Sequence, residues 1–111
     1  MILSHKAIHI LIIEPPLEGE KSSQIFLQEA YDIKIVHTLE KALSLIQNHA
    51  IDVLVLDLST PGIKSTDALR KIKTFSADKP TILLGSKEDE TLAQDYILAG
   101  ADDFLNKETL D

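Results

Sequence analysis

Apolar and polar positions follow two rhythms along this chain. Short apolar runs with few polar interruptions predict strands, and apolar residues spaced three and four apart predict helices. Ile8 to Ile13 (IHILII) is β-branched and precedes Glu14-Pro15-Pro16, which marks a buried strand. A polar stretch from Leu17 to Ser23 leads into Gln24 to Tyr31, where Ile25, Phe26, Leu27 and Ala30 form a helical stripe. Ile33 to His37 predicts a second strand, and its Lys34 and His37 suit a sheet edge. Thr38 is the expected N-cap of the next helix, with Leu39, Ala42, Leu43 and Ile46 on one face and Asn48 and His49 closing it.

Ile51 to Asp57 (IDVLVLD) predicts a third strand. Its Val53-Leu54-Val55-Leu56 run has no polar alternation, as expected of a strand buried on both faces. Ser59 to Lys64 is a loop with a Pro61-Gly62 turn signal. Ser65 or Thr66 caps a third helix carrying Ala68, Leu69, Ile72 and Phe75. Thr81 to Leu84 is a fourth strand after Pro80. A fourth helix covers Glu88 to Ala99, ended by Gly100, and Asp103-Phe104-Leu105 is a short fifth strand.

Strands alternating with helices imply a mainly parallel sheet with helices on both faces. With right-handed crossovers, five strands favour a flavodoxin-like doubly wound α/β fold of order 2-1-3-4-5. A length of 111 residues suits a single domain over 1–111. There is no cysteine, which excludes a disulfide scaffold, a thiolate metal site and a cysteine nucleophile. A net charge of −7 repels phosphate backbones, so no direct nucleic-acid partner is expected. Ala7 to Ile13 loosely resembles a secretory apolar region, but it is short, holds His9 and runs into Glu14-Pro15-Pro16. No run approaches the ~18 apolar residues of a membrane span. A cytoplasmic, membrane-free protein is expected.

Open α/β sheets bind ligands beyond the carboxyl ends of their strands, where strand order reverses. Here that point lies between the first and third strands, whose ends are Glu14 and Asp57. Two carboxylates meeting there repel each other, and oxygen-only ligands favour Mg²⁺ or a similar hard ion. The fourth strand ends at Gly85-Ser86 and the fifth at Asn106-Lys107, which brings an ammonium to the same rim. Phosphate is the natural anion for such a pocket. Taken singly, each residue has a plainer reading. Asp57 can begin a turn, Glu14 can be a surface charge, and Lys107 can be a solvated lysine near the chain end.

These segments resemble the response-regulator receiver family. VLVLDLSTPGIKSTDALRKIK resembles the region of the family's phosphoacceptor, PTILLGSKEDE its fourth-strand segment, and AGADDFLNKE its fifth-strand segment. The resemblance places the phosphoacceptor on Asp57, the lysine that pairs with the phosphoryl group on Lys107, and the switch positions on Gly85, Ser86 and Phe104. It implies Mg²⁺ at Glu14, Asp57 and the backbone carbonyl of Ser59, with weak affinity. It also implies a histidine kinase or phosphotransfer protein as donor, and a signalling module rather than an enzyme.

Several positions depart from that pattern. Glu14-Pro15 stands where the family has an acidic pair, so one acid is missing. Gly85 stands where the family has a Thr or Ser, so the hydroxyl that normally follows the phosphoryl group is lost. Ser65 replaces a glycine eight residues after the phosphoacceptor, and Glu108 replaces a proline. The chemistry at Asp57 is expected to survive with a weakened switch. The alternative is a pseudo-receiver, a phosphorylation-independent interaction module. A flavin-binding protein fits less well, because Glu14-Pro15-Pro16 offers a phosphate no hydroxyls. Only Glu108 to Asp111 follow the lysine where the family has a fifth helix, against ~11–12 residues in an average helix. A truncated or missing fifth helix should leave an apolar face open to a homodimer partner or to an element of a parent chain.

Overall fold

The computed structural model describes residues 8–16 and 31–109. The strands are β1 (Ile8–Ile13), β2 (Tyr31–Val36), β3 (Val53–Asp57), β4 (Thr81–Gly85) and β5 (Asp103–Asn106). Among the described residues, three α-helices run between them: α1 (Leu39–Asn48), α2 (Thr66–Ser76) and α3 (Glu90–Leu98). All strand pairs are parallel, in the order β2-β1-β3-β4-β5. That is the expected doubly wound order, with β2 and β5 at the edges.

Local signals set most boundaries. Thr38 caps α1, its hydroxyl accepting from the Lys41 N–H at 3.1 Å. Ser65, rather than Thr66, caps α2 by accepting from the Asp67 N–H at 3.0 Å. The α3 helix ends in a Schellman closure. Gly100 N–H donates to the Ile97 carbonyl and Ala101 N–H to that of Tyr96, while Gly100 takes φ +124°. Several expected boundaries move. The Tyr31 end of the predicted first helix belongs to β2, β3 begins at Val53 instead of Ile51, and Lys87–Asp89 forms a 3₁₀ turn ahead of α3. The remainder of that first helix, at 24–30, lies outside the described residues.

The core joins alternate sheet positions to the helices. Leu11, Ile13, Leu54, Leu56 and Leu83 are fully buried, clustered with Ala42, Leu69, Ile72 and Tyr96. Their strand neighbours point the other way. Ile10, Ile12, Val53, Val55, Ile82 and Leu84 remain partly exposed, and Ile8 and Leu105 are exposed at 42% and 37%. The expectation that β3 is buried on both faces therefore holds on one face only, where the helical core residues pack. Phe75, expected on the inner face of α2, is 51% exposed. Ala68, Leu69, Ile72 and Ser76 take that face, and the Ser76 hydroxyl donates back to the Ile72 carbonyl. Among the described residues, no helix is long and apolar enough to cross a membrane.

Candidate functional site

The carboxyl ends of β1, β3, β4 and β5 form one rim. Ile13 pairs with Leu56 in the ladder, so Glu14 follows β1 beside Asp57 at the end of β3. Both carboxylate residues are only 7% exposed. Charged groups so far from water need partners.

Asp57 has several. Its Oδ1 accepts from the Ser59 N–H at 2.9 Å, the Ser59 hydroxyl at 2.7 Å and the Lys107 ammonium at 3.2 Å. Its Oδ2 accepts from Lys107 at 3.1 Å. The ammonium thus bridges both oxygens, and the two differ in that Oδ1 is also held by the loop through Ser59. The Lys107 side chain is 40% exposed, so this pair contributes at most about 1 kcal/mol to stability. Its value lies in placing a positive charge where a second anion can share it. The Thr60 N–H donates to the Asp57 carbonyl at 3.0 Å, closing a turn directly behind the carboxylate.

Glu14 is placed by backbone. Its N–H donates to the Val36 carbonyl at 3.0 Å, extending the β1–β2 ladder by one residue. Its carbonyl lies 2.9 Å from His37 Nδ1, so the imidazole tethers the start of the Glu14-Pro15-Pro16 turn to the end of β2.

The donor set suits a hard divalent ion, because adjacent buried carboxylates carry charge that oxygen-loving cations neutralise. Among the described residues, no group of three or more acidic or histidine side chains forms a metal cage. A cation here would rest on Glu14, Asp57, backbone and solvent.

The expected switch residues lie further along the rim. Gly85 is buried, and it pairs with Asn106 in the ladder. A β-carbon built on Gly85 would fall 2.8 Å from Asp89 Oδ2, 2.9 Å from Asp89 Cβ and 2.9 Å from Phe104 Cε1. The volume a side chain would fill is already taken by the Asp89 carboxylate and the Phe104 ring. Ser86 does not stand in for the missing hydroxyl. Its hydroxyl sits 2.7 Å from Glu88 Oε1 and 3.2 Å from Asp89 Oδ2, while Asp89 Oδ2 also accepts the Ser86 N–H at 2.9 Å. Ser86 is engaged in starting the turn that leads to α3.

The rim thus gathers the sequence candidates into two groups: Asp57 with Glu14, Ser59 and Lys107, and Gly85 with Ser86 and Phe104. Two contributors were not foreseen, the Ser59 side chain and His37. A hydroxyl two residues after a strand-end aspartate is the local signal for the first. His37 had none, since it meets Glu14 across 23 residues of sequence.

Known proteins share this architecture. A family model described as the response regulator receiver domain matches residues 10–110. Response regulator SaeR of Staphylococcus aureus is 29% identical over 100 residues, covering 89% of this chain and 43% of that protein. This chain thus spans less than half the length of that curated relative. Among solved structures, the signal receiver domain of an HD domain-containing protein from Pseudomonas fluorescens superposes with a TM-score of 0.79 at 20% identity, covering 93% of this chain and 84% of that one. A CheY-like response regulator receiver domain protein from Methanospirillum hungatei gives a TM-score of 0.73 at 23% identity, covering 96% and 85%.

Proposed function

Because the chain belongs to the response regulator receiver family, we propose that Asp57 is its phosphoacceptor and that a histidine kinase or phosphotransfer protein is the donor. One observation carries this reading: a carboxylate 7% exposed, at the end of a central strand, with an ammonium 3.1 Å from one oxygen. The other oxygen is occupied by the Ser59 N–H and hydroxyl. Oδ2 is therefore the attacking atom. The new O–P bond forms as the donor's N–P bond breaks, and the electron pair leaves with the imidazole nitrogen. Lys107 then shares its charge with a phosphoryl oxygen. Fixed donors on Oδ1 keep the carboxylate plane in place, so little reorganisation is needed. Intact mass after incubation with a small phosphodonor and Mg²⁺ tests the reading. A phosphoryl adduct supports it, and an unchanged mass overturns it.

A divalent cation, when bound, would neutralise charge on the carboxylates and on incoming phosphoryl oxygens. Glu14, Asp57 and the Ser59 carbonyl are the groups we assign to hold it. With Pro15 in place of a second acid, affinity is expected to be weak, since ligand charge sets affinity for such ions. Replacing Glu14 with Gln should weaken Mg²⁺ binding on the order of tenfold, read by calorimetry or NMR titration. Tight binding that ignores the substitution would remove Glu14 from the site.

The second partner surface is the partly exposed sheet face of Ile10, Ile12, Val53, Val55, Ile82 and Leu84. Apolar faces of this kind mark interfaces, and a symmetric pair is the commonest assembly. We assign this face to a second copy of the chain or to an element of a parent chain. Light scattering over a concentration series should show self-association. A monomer at high concentration, unfolding cooperatively with ordinary stability, would show instead that the chain closes its own core.

The pseudo-receiver alternative draws support from Pro15 and Gly85 alone. The intact arrangement of Asp57, Ser59 and Lys107 favours phosphorylation. The whole of 1–111 is taken as one receiver unit acting in the cytoplasm.

A further inference from the structure

The largest fully buried side chain among the described residues is Tyr96, in the last turn of α3. An aromatic ring in a core needs no explanation, but a phenol there needs an acceptor. The Tyr96 hydroxyl finds two, the backbone carbonyls of Ile63 and, at 2.8 Å, Ser65. Both belong to the loop between β3 and α2. Burial pushes the phenol up to about 12, so it remains a neutral donor at physiological pH.

That loop begins at the carboxylate. Ser59 holds Asp57 Oδ1 through its N–H and hydroxyl, and Thr60 holds the Asp57 carbonyl. The chain then turns through Gly62, at φ +83°, with the Ile63 N–H on the Thr60 carbonyl at 3.2 Å. Ser65 closes it by capping α2. One end of the loop is therefore fastened to Asp57 and the other to α3, 31 to 33 residues further along. The two residues after Tyr96 are at the surface, Ile97 being 43% and Leu98 87% exposed.

We infer that Tyr96 is a positioning residue: its hydroxyl fixes the loop that orients Asp57 and passes displacement of that loop to the exposed end of α3. A new anion on Asp57 competes for the Ser59 donors, the loop shifts, and the phenol draws α3 with it. Phenylalanine would fill the same core volume without this link. The relay half of the inference rests on Asp57 as phosphoacceptor, whereas the positioning half does not.

Two measurements on the full chain and its Tyr96→Phe variant test it. The first is amide hydrogen exchange. Amides of residues 58–65 should exchange on the order of tenfold faster in Tyr96→Phe, relative to β3 amides of the same protein. Equal relative exchange would overturn the positioning role. The second is NMR with beryllofluoride, a phosphoryl mimic, and Mg²⁺. In the wild type, amides of both the loop and Ile97-Leu98 should shift. In the variant the loop shifts should persist and those of α3 should fall by at least half. Unchanged α3 shifts in the variant would overturn the relay. Shifts nowhere in the wild type would overturn both the relay and the Asp57 reading, leaving the exchange comparison to decide positioning. If Tyr96→Phe does not fold, the wild type alone still decides: a loop that moves while α3 stays still overturns the relay.

Discussion

Asp57→Asn is expected to reduce phosphoryl labelling to background, the largest functional effect of any single substitution in this chain. Asparagine keeps the shape of the side chain, and its carbonyl oxygen can still accept from the Ser59 N–H and hydroxyl, now 2.9 and 2.7 Å from Oδ1. The other terminal atom becomes an amide nitrogen. It has no lone pair available for attack on phosphorus and no charge to hold the Lys107 ammonium. The fold should barely notice. The Lys107 ammonium that is left behind lies on a side chain 40% exposed to solvent, so loss of the ion pair costs about 1 kcal/mol or less. Loss of labelling with an unchanged melting temperature therefore isolates the chemistry from the scaffold. Intact mass and thermal unfolding of both proteins check this. Undiminished labelling of the variant would assign the phosphoryl group to another side chain.

The parts of the fold written in local patterns were the ones readable in advance. β1, β3 and β4 are short, mostly apolar runs, and α1 carries its stripe and cap within ten residues. Strand order followed from alternation. Asp57, Glu14 and Lys107 were readable as strand-end residues, because a parallel sheet puts all such ends on one rim. Long-range contacts were not. Tyr96 reads as one more apolar residue in a helix until its hydroxyl is seen on Ile63 and Ser65. His37 looks like an edge-strand histidine until it is seen on the Glu14 carbonyl. The half-open face of β3 was missed for a similar reason: a run of Val and Leu is the same string whether one face or both are covered. Gly85 was recognised as a missing hydroxyl, but what fills its place depends on side chains 4 and 19 positions away, at Asp89 and Phe104.

Restoring a hydroxyl by Gly85→Thr is expected to destabilise the domain instead of repairing its switch. Gly85 does not take positive φ, so its backbone does not require glycine. Conformational entropy and strand propensity both favour replacing it, by roughly 0.5–1 kcal/mol. Space opposes it. The new β-carbon would lie 2.8 Å from Asp89 Oδ2 and 2.9 Å from Phe104 Cε1, inside van der Waals contact with both. If Asp89 yields, the Ser86 N–H loses its 2.9 Å acceptor and the entry to α3 loses a cap worth about 1 kcal/mol. If Phe104 yields, its ring leaves the core against which it packs. Overpacking of this kind costs about 1–3 kcal/mol, which exceeds the backbone gain. The melting temperature should fall by several degrees. A double-mutant cycle locates the cause, since residues in contact do not add. Phe104→Leu removes the ring atom nearest Gly85, so Gly85→Ala should cost less in that background than in the wild type. Equal costs in the two backgrounds would show that the ring does not exclude a side chain at position 85. A smaller cost would mean that the aromatic occupies the space left by the absent hydroxyl, so that the side chain introduced by Gly85→Thr and an inward Phe104 cannot coexist without rebuilding the turn at Asp89.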